Sequence, residues 1–229
     1  MPPARRDGVT TTESAGSPPA PRRGRPPRAT REQIVDAAVA LLRAAPDEPL
    51  TMARVASAVG LTPMALYLHF KDRDELMDDV VGRILMERNA AIPRQGPWQD
   101  QLRAWVLGGL DHLVPCSQVV QVVFAGGSSR WVHDAATLVR ILEQAGYAGD
   151  ELAEMQVWIA LSVGGYVMAE SSRRQGPNTP EVYAALAHLE PEDADRLAVL
   201  IPAIDRAFDQ IHERFADRLI HTVEAGAPS

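Results

Sequence analysis

The sequence predicts an all-α chain in which an N-terminal three-helix helix-turn-helix unit is joined to a larger helical domain. Three observations carry this. Apolar residues recur at three- and four-residue spacing in segment after segment from position 30 onward, and no stretch alternates as a strand would. Two short capped helices lie between positions 50 and 76, in the stretch LTMARVASAVGLTPMALYLHFKDRDEL. The chain's 229 residues, 46% of them hydrophobic, suffice for a small domain plus a larger one.

Residues 1–29 come first, rich in Pro, Ser, Thr, Gly and Arg and without apolar periodicity, so they cannot bury enough surface to fold. They read as a disordered basic arm. Within it PRRGRPPR, positions 21–28, sets Arg22, Arg23, Arg25 and Arg28 around Gly24 and two prolines, which resembles an AT-hook, an extended segment whose arginines lie along a narrow minor groove. Arg25 and Arg28 are the arm's candidate DNA contacts, and a solvated basic tail is the plain alternative.

Thr30 caps a first helix running to Ala45, with Ile34, Ala37, Ala38, Leu41 and Leu42 as its buried stripe, and Pro46 and Pro49 end it. Thr51 caps a second helix whose Val55, Ala56 and Val59 face inward. Gly60 stops that helix because glycine tolerates the left-handed closing geometry, and Leu61 folds back on the preceding turn. Thr62 is the next N-cap and Pro63 takes the first helical position, where its missing N–H costs nothing. Leu66 and Phe70, four apart, face the second helix. Thr62, Pro63, Met64, Tyr67, Leu68 and His69 are then left looking outward, apolar groups suited to thymine methyls and hydroxyls suited to phosphates. An ordinary helical hairpin would use the same caps, but a three-residue turn between them matches the DNA-binding geometry more closely. A fourth helix is expected from near Asp72 through Leu76, Val80, Val81, Ile84 and Leu85 to about Ala91. Its N-terminus, with Lys71 and Arg73, is expected to favour a phosphate.

The later helices are expected over 98–114, 118–125, 130–145 and 150–173, then, beyond a Gly-Pro loop at 175–180, over 181–189, 192–200 and 202–223. Ile204, Phe208, Ile211, Phe215 and Leu219 repeat too regularly for a surface helix. Ala160, Gly164 and Gly165 would let another helix approach closely. Trp105, His112, Phe124, Trp131, Trp158, Ser162 and Tyr166 supply the aromatic walls and few polar points of a small-molecule cavity, although each would serve equally as core.

Net charge is −7, but residues 1–73 hold eleven basic against seven acidic residues, leaving twelve against twenty-three in 74–229. A basic head that meets phosphates and an acidic body that stays off the duplex suit a reversible nucleic-acid binder. All basic residues except Lys71 are Arg. No run of eighteen apolar residues occurs and the N-terminus is polar, so a cytoplasmic location is expected. Cys116 is alone and excludes an internal disulfide. Its expected role is a small buried hydrophobe. No cofactor is implied, and His112 and His133 lack the spacing of a metal pair. Catalytic elbows, phosphate loops, dinucleotide fingerprints and HExxH are absent, so an enzyme is not expected.

Residues 30–88 resemble the DNA-binding domain of the TetR family of bacterial transcriptional regulators, through Gly-Leu-Thr-Pro at 60–63 and Leu-Tyr-x-His-Phe-Lys at 66–71. The resemblance implies that Thr51, Tyr67, His69, Lys71 and Arg73 contact phosphates, and that Thr62, Pro63, Met64 and Ala65 sit where base edges are read. Ala53, Met64 and Leu68 depart from this by offering few hydrogen-bond donors. The chain is expected to divide into 1–29, 30–74 and 75–229, and the resemblance implies that the last is an effector-binding and dimerisation domain whose helices meet a twin across a two-fold axis. Burial within one chain is the alternative for those helices. The expected protein is a homodimeric, ligand-responsive repressor that leaves a palindromic double-stranded DNA operator when a hydrophobic or aromatic small molecule binds. A ligand-independent regulator controlled by a protein partner is the other reading.

Overall fold

The computed structural model describes residues 29–126, 128–174 and 179–227, and every regular element among them is helical. Arg25 and Arg28 lie outside the described residues. The head comprises α1 (Arg31–Ala44), α2 (Met52–Ala58) and α3 (Pro63–Leu66). Thr30 accepts from Gln33 N and Gln33 returns the bond to Thr30 N, a reciprocal cap that fixes the start of α1. Gly60, at φ +69°, closes α2, and Leu61 N reaches back to Ala56 O at 2.8 Å.

The third helix is shorter than the sequence predicts. After Leu66 the chain tightens into turns, with Leu68 N bonded to Ala65 O and His69 N to Leu66 O, so one helical turn and the tight turn after it carry Pro63 to Phe70. Leu66 and Phe70 still bury fully against the head, as their four-residue spacing demands.

Then come α4 (Arg73–Ala90), α5 (Trp98–Leu113), a 3₁₀ turn (Val114–Cys116), α6 (Ser117–Phe124), α7 (Trp131–Gln144), α8 (Gly149–Arg174), α9 (Thr179–Leu186) and α10 (Pro191–Gly226). The buried residues of α4 include Leu76, Val80, Val81, Ile84 and Leu85. This helix packs on α1 and equally on α5 and α7, so one continuous helix belongs to both the head and the body. Cys116 is fully buried in the same continuous core.

At the C-terminus two expected helices are one: α10 runs unbroken through Pro202. Proline removes a single backbone donor, and long helical stretches on both sides carry the helix past it. Burial along α10 is graded. Ile204 is exposed, Ile211 and Phe215 are half-buried, and Leu219 and Val223 are buried where the helix packs on α5. The N-terminal half of α10, paired with α9, leaves Val182, Tyr183, Leu189, Leu197 and Leu200 exposed. On α8 an apolar stripe of Val157, Trp158, Leu161 and Met168 is likewise open, with nothing within 4 Å of a Cβ placed on Gly165. By length and composition alone, the stretches Trp98–Phe124 and Gly149–Arg174 are apolar enough to cross a membrane.

Candidate nucleic-acid interface

The outward face of α3 and its following turn is unusually apolar. Met64 is 77% exposed, Leu68 80% and Tyr67 49%. Groups of this kind normally bury, and three together on one short element mark a surface built to meet something else. Around them stand two exposed threonines. Thr62 Oγ1 accepts from Ala65 N and Thr51 Oγ1 from Arg54 N, which fixes each hydroxyl oxygen and leaves its hydrogen free to donate outward. Pro63 is exposed beside them, while Ala65 and His69 are half-buried.

Lys71 and Arg73 part company. The Lys71 side chain is 87% exposed, with only a loose 3.9 Å approach to Asp72. Arg73 instead turns back, its Nε donating to Leu50 O at 2.8 Å, and so braces the loop that presents Thr51. The N-terminus of α4 is not an open phosphate site. Asp72 accepts from Glu75 N at 2.9 Å and Glu75 accepts from Lys71 N at 2.7 Å, so these amides are met by the chain's own carboxylates. The Lys71 N–H and the Arg31 guanidinium hold the Glu75 carboxyl below its usual range.

Arg31 is a residue that the sequence reading did not single out. Its guanidinium donates to His69 O at 2.5 Å, Glu75 at 2.8 Å and Asp79 at 2.7 Å, and it lies over the Phe70 ring. The other oxygen of Asp79 accepts from Arg130, the N-cap residue of α7, at 2.6 Å. Arg130 also holds Asp78, which accepts from Ser128. Burial opposes ionisation of Asp78, but the Ser128 hydroxyl and the Arg130 guanidinium prevail and lower its pKa. A continuous polar chain therefore joins the His69 carbonyl, in the turn after α3, to the body. A second tie comes from Gln118 of α6, whose amide donates to Pro46 O and Glu48 O and accepts from Leu50 N. No periodicity marks Arg31 or Gln118, because their partners are 38 to 72 residues away in sequence.

The seven candidate effector residues do not gather in one recess. Trp105 is buried with the Arg88 guanidinium 3.8 Å over its ring. His112 Nδ1 lies 2.8 Å from Gly108 O of its own helix, and Ser162 donates to Trp158 O. Tyr166 packs on Phe215 and edge-on to His212. Phe124, Trp131 and Trp158 are each more than two-fifths exposed. Phe124 reaches α8, where a Cβ on Gly164 would come within 2.3 Å of its ring, so Gly164 admits a side chain of this chain. A recess of about 900 Å³ does exist, but between α1, α4 and α7, and none of the seven lines it. Among the described residues no group of three or more His, Cys, Asp or Glu is placed to hold a metal ion.

Residues 34–80 match the family model described as bacterial regulatory proteins, tetR family. No curated protein sequence matches. Among solved structures, ActR from Streptomyces coelicolor in complex with actinorhodin is 22% identical with a TM-score of 0.66, over 87% of this chain and 97% of that one. BioQ from Mycobacterium smegmatis is 22% identical at 0.62, over 86% and 98%. A TetR variant from Acinetobacter baumannii AYE in complex with minocycline is 19% identical at 0.62, over 87% and 99%. At these identities the likeness establishes the shared fold, head and body together.

Proposed function

Because this chain belongs to the tetR family of bacterial regulatory proteins, we propose that it is a homodimeric repressor of transcription that binds a palindromic operator and leaves it when a small molecule binds its helical body. The observation that carries this reading is the exposed Met64, Tyr67 and Leu68 face between the hydroxyls of Thr51 and Thr62, with Lys71 at its edge. It suits a major groove, with apolar groups on thymine methyls and the hydroxyls and Lys71 on phosphates. Arg25 and Arg28 extend the contact into the neighbouring minor groove. Binding, and no catalysis, is the whole activity, and the protein works in the cytoplasm.

Dimerisation follows from the open apolar faces of α8 and α10. A monomer leaving Trp158, Leu161, Leu200 and Ile204 in water is unfavourable, and a two-fold partner covers both faces at once. Residues 30–74 are the head, and 75–229 the effector and dimerisation domain. The ActR and TetR complexes, which hold actinorhodin and minocycline, support a hydrophobic or aromatic effector. Through α4, Arg31–Asp79–Arg130 and Gln118, a change in the body moves the head, and linkage requires operator DNA to weaken the effector equally.

The test is selection from random duplex DNA with the full chain. Enrichment of an inverted repeat whose half-sites lie about one helical turn apart supports the reading. Recovery of no preferred sequence, with binding that depends on salt alone, sinks it.

A further inference from the structure

The recess between α1, α4 and α7 has a chemistry of its own. Its floor includes Leu85, Met86 and Ile92, and Met86 is 59% exposed there. Its two ends differ. At one end, beside the N-terminal half of α4, Arg31 and Arg130 are neutralised by Asp79, both of whose oxygens are engaged, and Glu32 stands alongside. At the other end, about 15 Å along α7 from Arg130 at a helix's rise per residue, is Arg140, whose partner Gln101 donates to Gly96 O in the loop that carries Arg94, and neither carboxylate lining the recess, Glu32 or Asp79, is there. Arg140 Nη1 donates to the neutral Gln101 Oε1 at 2.6 Å, and Arg94 makes no hydrogen bond or ion pair among the described residues. Two guanidinium groups without a counter-charge, at the end of an apolar trough in a body carrying an excess of acidic residues, are matched by an anion with an apolar tail.

We propose that this recess is a binding site for an amphipathic organic anion, its carboxylate held by Arg94 and Arg140 and its apolar chain laid along Met86, Leu85 and Ile92. The site is separate from the aromatic residues of the body. Its walls come from the head through Arg31 and Val35 and from the body through Ala136 and Arg140, so an occupant fixes one against the other. The binding rests on the groove alone, whereas its consequence for DNA rests on the regulator reading above.

The test uses the full chain labelled with ¹³C at its methionine methyl groups, with decanoate as probe and decanol as the uncharged control. Decanoate should shift the Met86 methyl resonance, assigned with Met86→Leu, to saturation, while the exposed Met64 and Met168 stay in place. Decanol at equal concentration should shift it far less. Arg94→Ala and Arg140→Ala should each raise the half-saturating concentration about fivefold, the scale of a partly exposed ion pair. Arg94 lies in a loop after α4, so its removal leaves the fold intact. An unmoved Met86, an equal response to decanol, or an unchanged half-saturation in both variants overturns the site. A Met86 shift in a chain that selects no operator would uphold the site and sink the repressor reading. Operator binding with an unmoved Met86 would do the reverse.

Discussion

Arg88 of α4 donates from one nitrogen to both carboxylate oxygens of Asp134 on α7, each at 2.9 Å. The same guanidinium donates to Trp105 O on α5 and lies 3.8 Å over the Trp105 ring, and Gly109 leaves room for it, since a Cβ there would come within 3.1 Å. Three helices therefore meet at one buried charge. Burial pushes the Asp134 carboxyl up and the Arg88 guanidinium down, and their pairing opposes both shifts. Asp134→Ala should cost about 3–5 kcal/mol, because it strands a buried cation. The double variant Arg88→Met with Asp134→Leu should recover most of that loss, since an apolar pair of similar volume carries no desolvation cost. Urea denaturation of all three proteins measures it, and a double variant no more stable than Asp134→Ala would refute the account.

Lys71→Ala should weaken operator binding without changing the melting temperature, because its side chain is almost wholly in solvent. It should also lower the slope of log affinity against log salt by about one, the signature of a lost phosphate contact. Tyr67→Ala should weaken binding with the fold likewise intact. Arg73→Ala should lower both affinity and stability, since Arg73 holds the Leu50 carbonyl. Mobility-shift titrations beside thermal melts separate the two classes, and a normal melt for Arg73→Ala contradicts its bracing role. Removing residues 1–28 should flatten the salt dependence further if Arg25 and Arg28 touch DNA.

Gly164→Ala should be destabilising by about 1–3 kcal/mol, because the new methyl group meets the Phe124 ring. In a Phe124→Ala background the same change should become stabilising by about 0.5–1 kcal/mol, the ordinary helical preference for alanine over glycine. The reversal of sign is the result to look for. The same sign in both backgrounds would show that Phe124 is not what Gly164 accommodates.

Acid should unfold the protein through Glu75, Asp78 and Glu170. Glu170 is buried on α8, and Arg173 and then Arg174 outweigh burial to lower its pKa. A carboxylate with a lower pKa folded than unfolded contributes stability that is fully present above its unfolded value, about 4. That contribution is lost as pH falls through the folded value. The melting temperature should therefore drop below about pH 4–5. Glu170→Gln should make the drop shallower, and an unchanged acid limb would remove Glu170 from the explanation.

Leu161→Glu should leave the chain folded but monomeric in sedimentation, because Leu161 is exposed on the α8 stripe where a partner is expected. Circular dichroism should be unchanged. A variant that remains dimeric would move the interface away from α8.

Much of the head was legible in the residues themselves. Thr30, Thr51, Gly60, Thr62 and Pro63 act on neighbours within a few positions, and local hydrogen bonds obey local rules, so the caps and the turn of the motif follow from spacing alone. The ends of α3 and the continuity of α10 through Pro202 did not follow, because a helix with strong flanks tolerates one missing donor and a short one is tightened by its surroundings. The candidate effector residues were the least legible, since an aromatic side chain at helical spacing looks the same whether it faces a core, a recess or a partner.

The amino-acid sequence by itself determined that this is a helical protein with a helix-turn-helix head, because caps, glycine stops and three- and four-residue apolar spacing are instructions carried out within a turn or two. The tertiary structure alone decided how head and body, and the helices within the body, are joined. Arg31 to Asp79 to Arg130, Gln118 on the loop before Thr51, and Arg88 between Trp105 and Asp134 link residues 17 to 72 positions apart. Such pairings are specified by the packing of whole helices, and nothing in the local order of residues announces them.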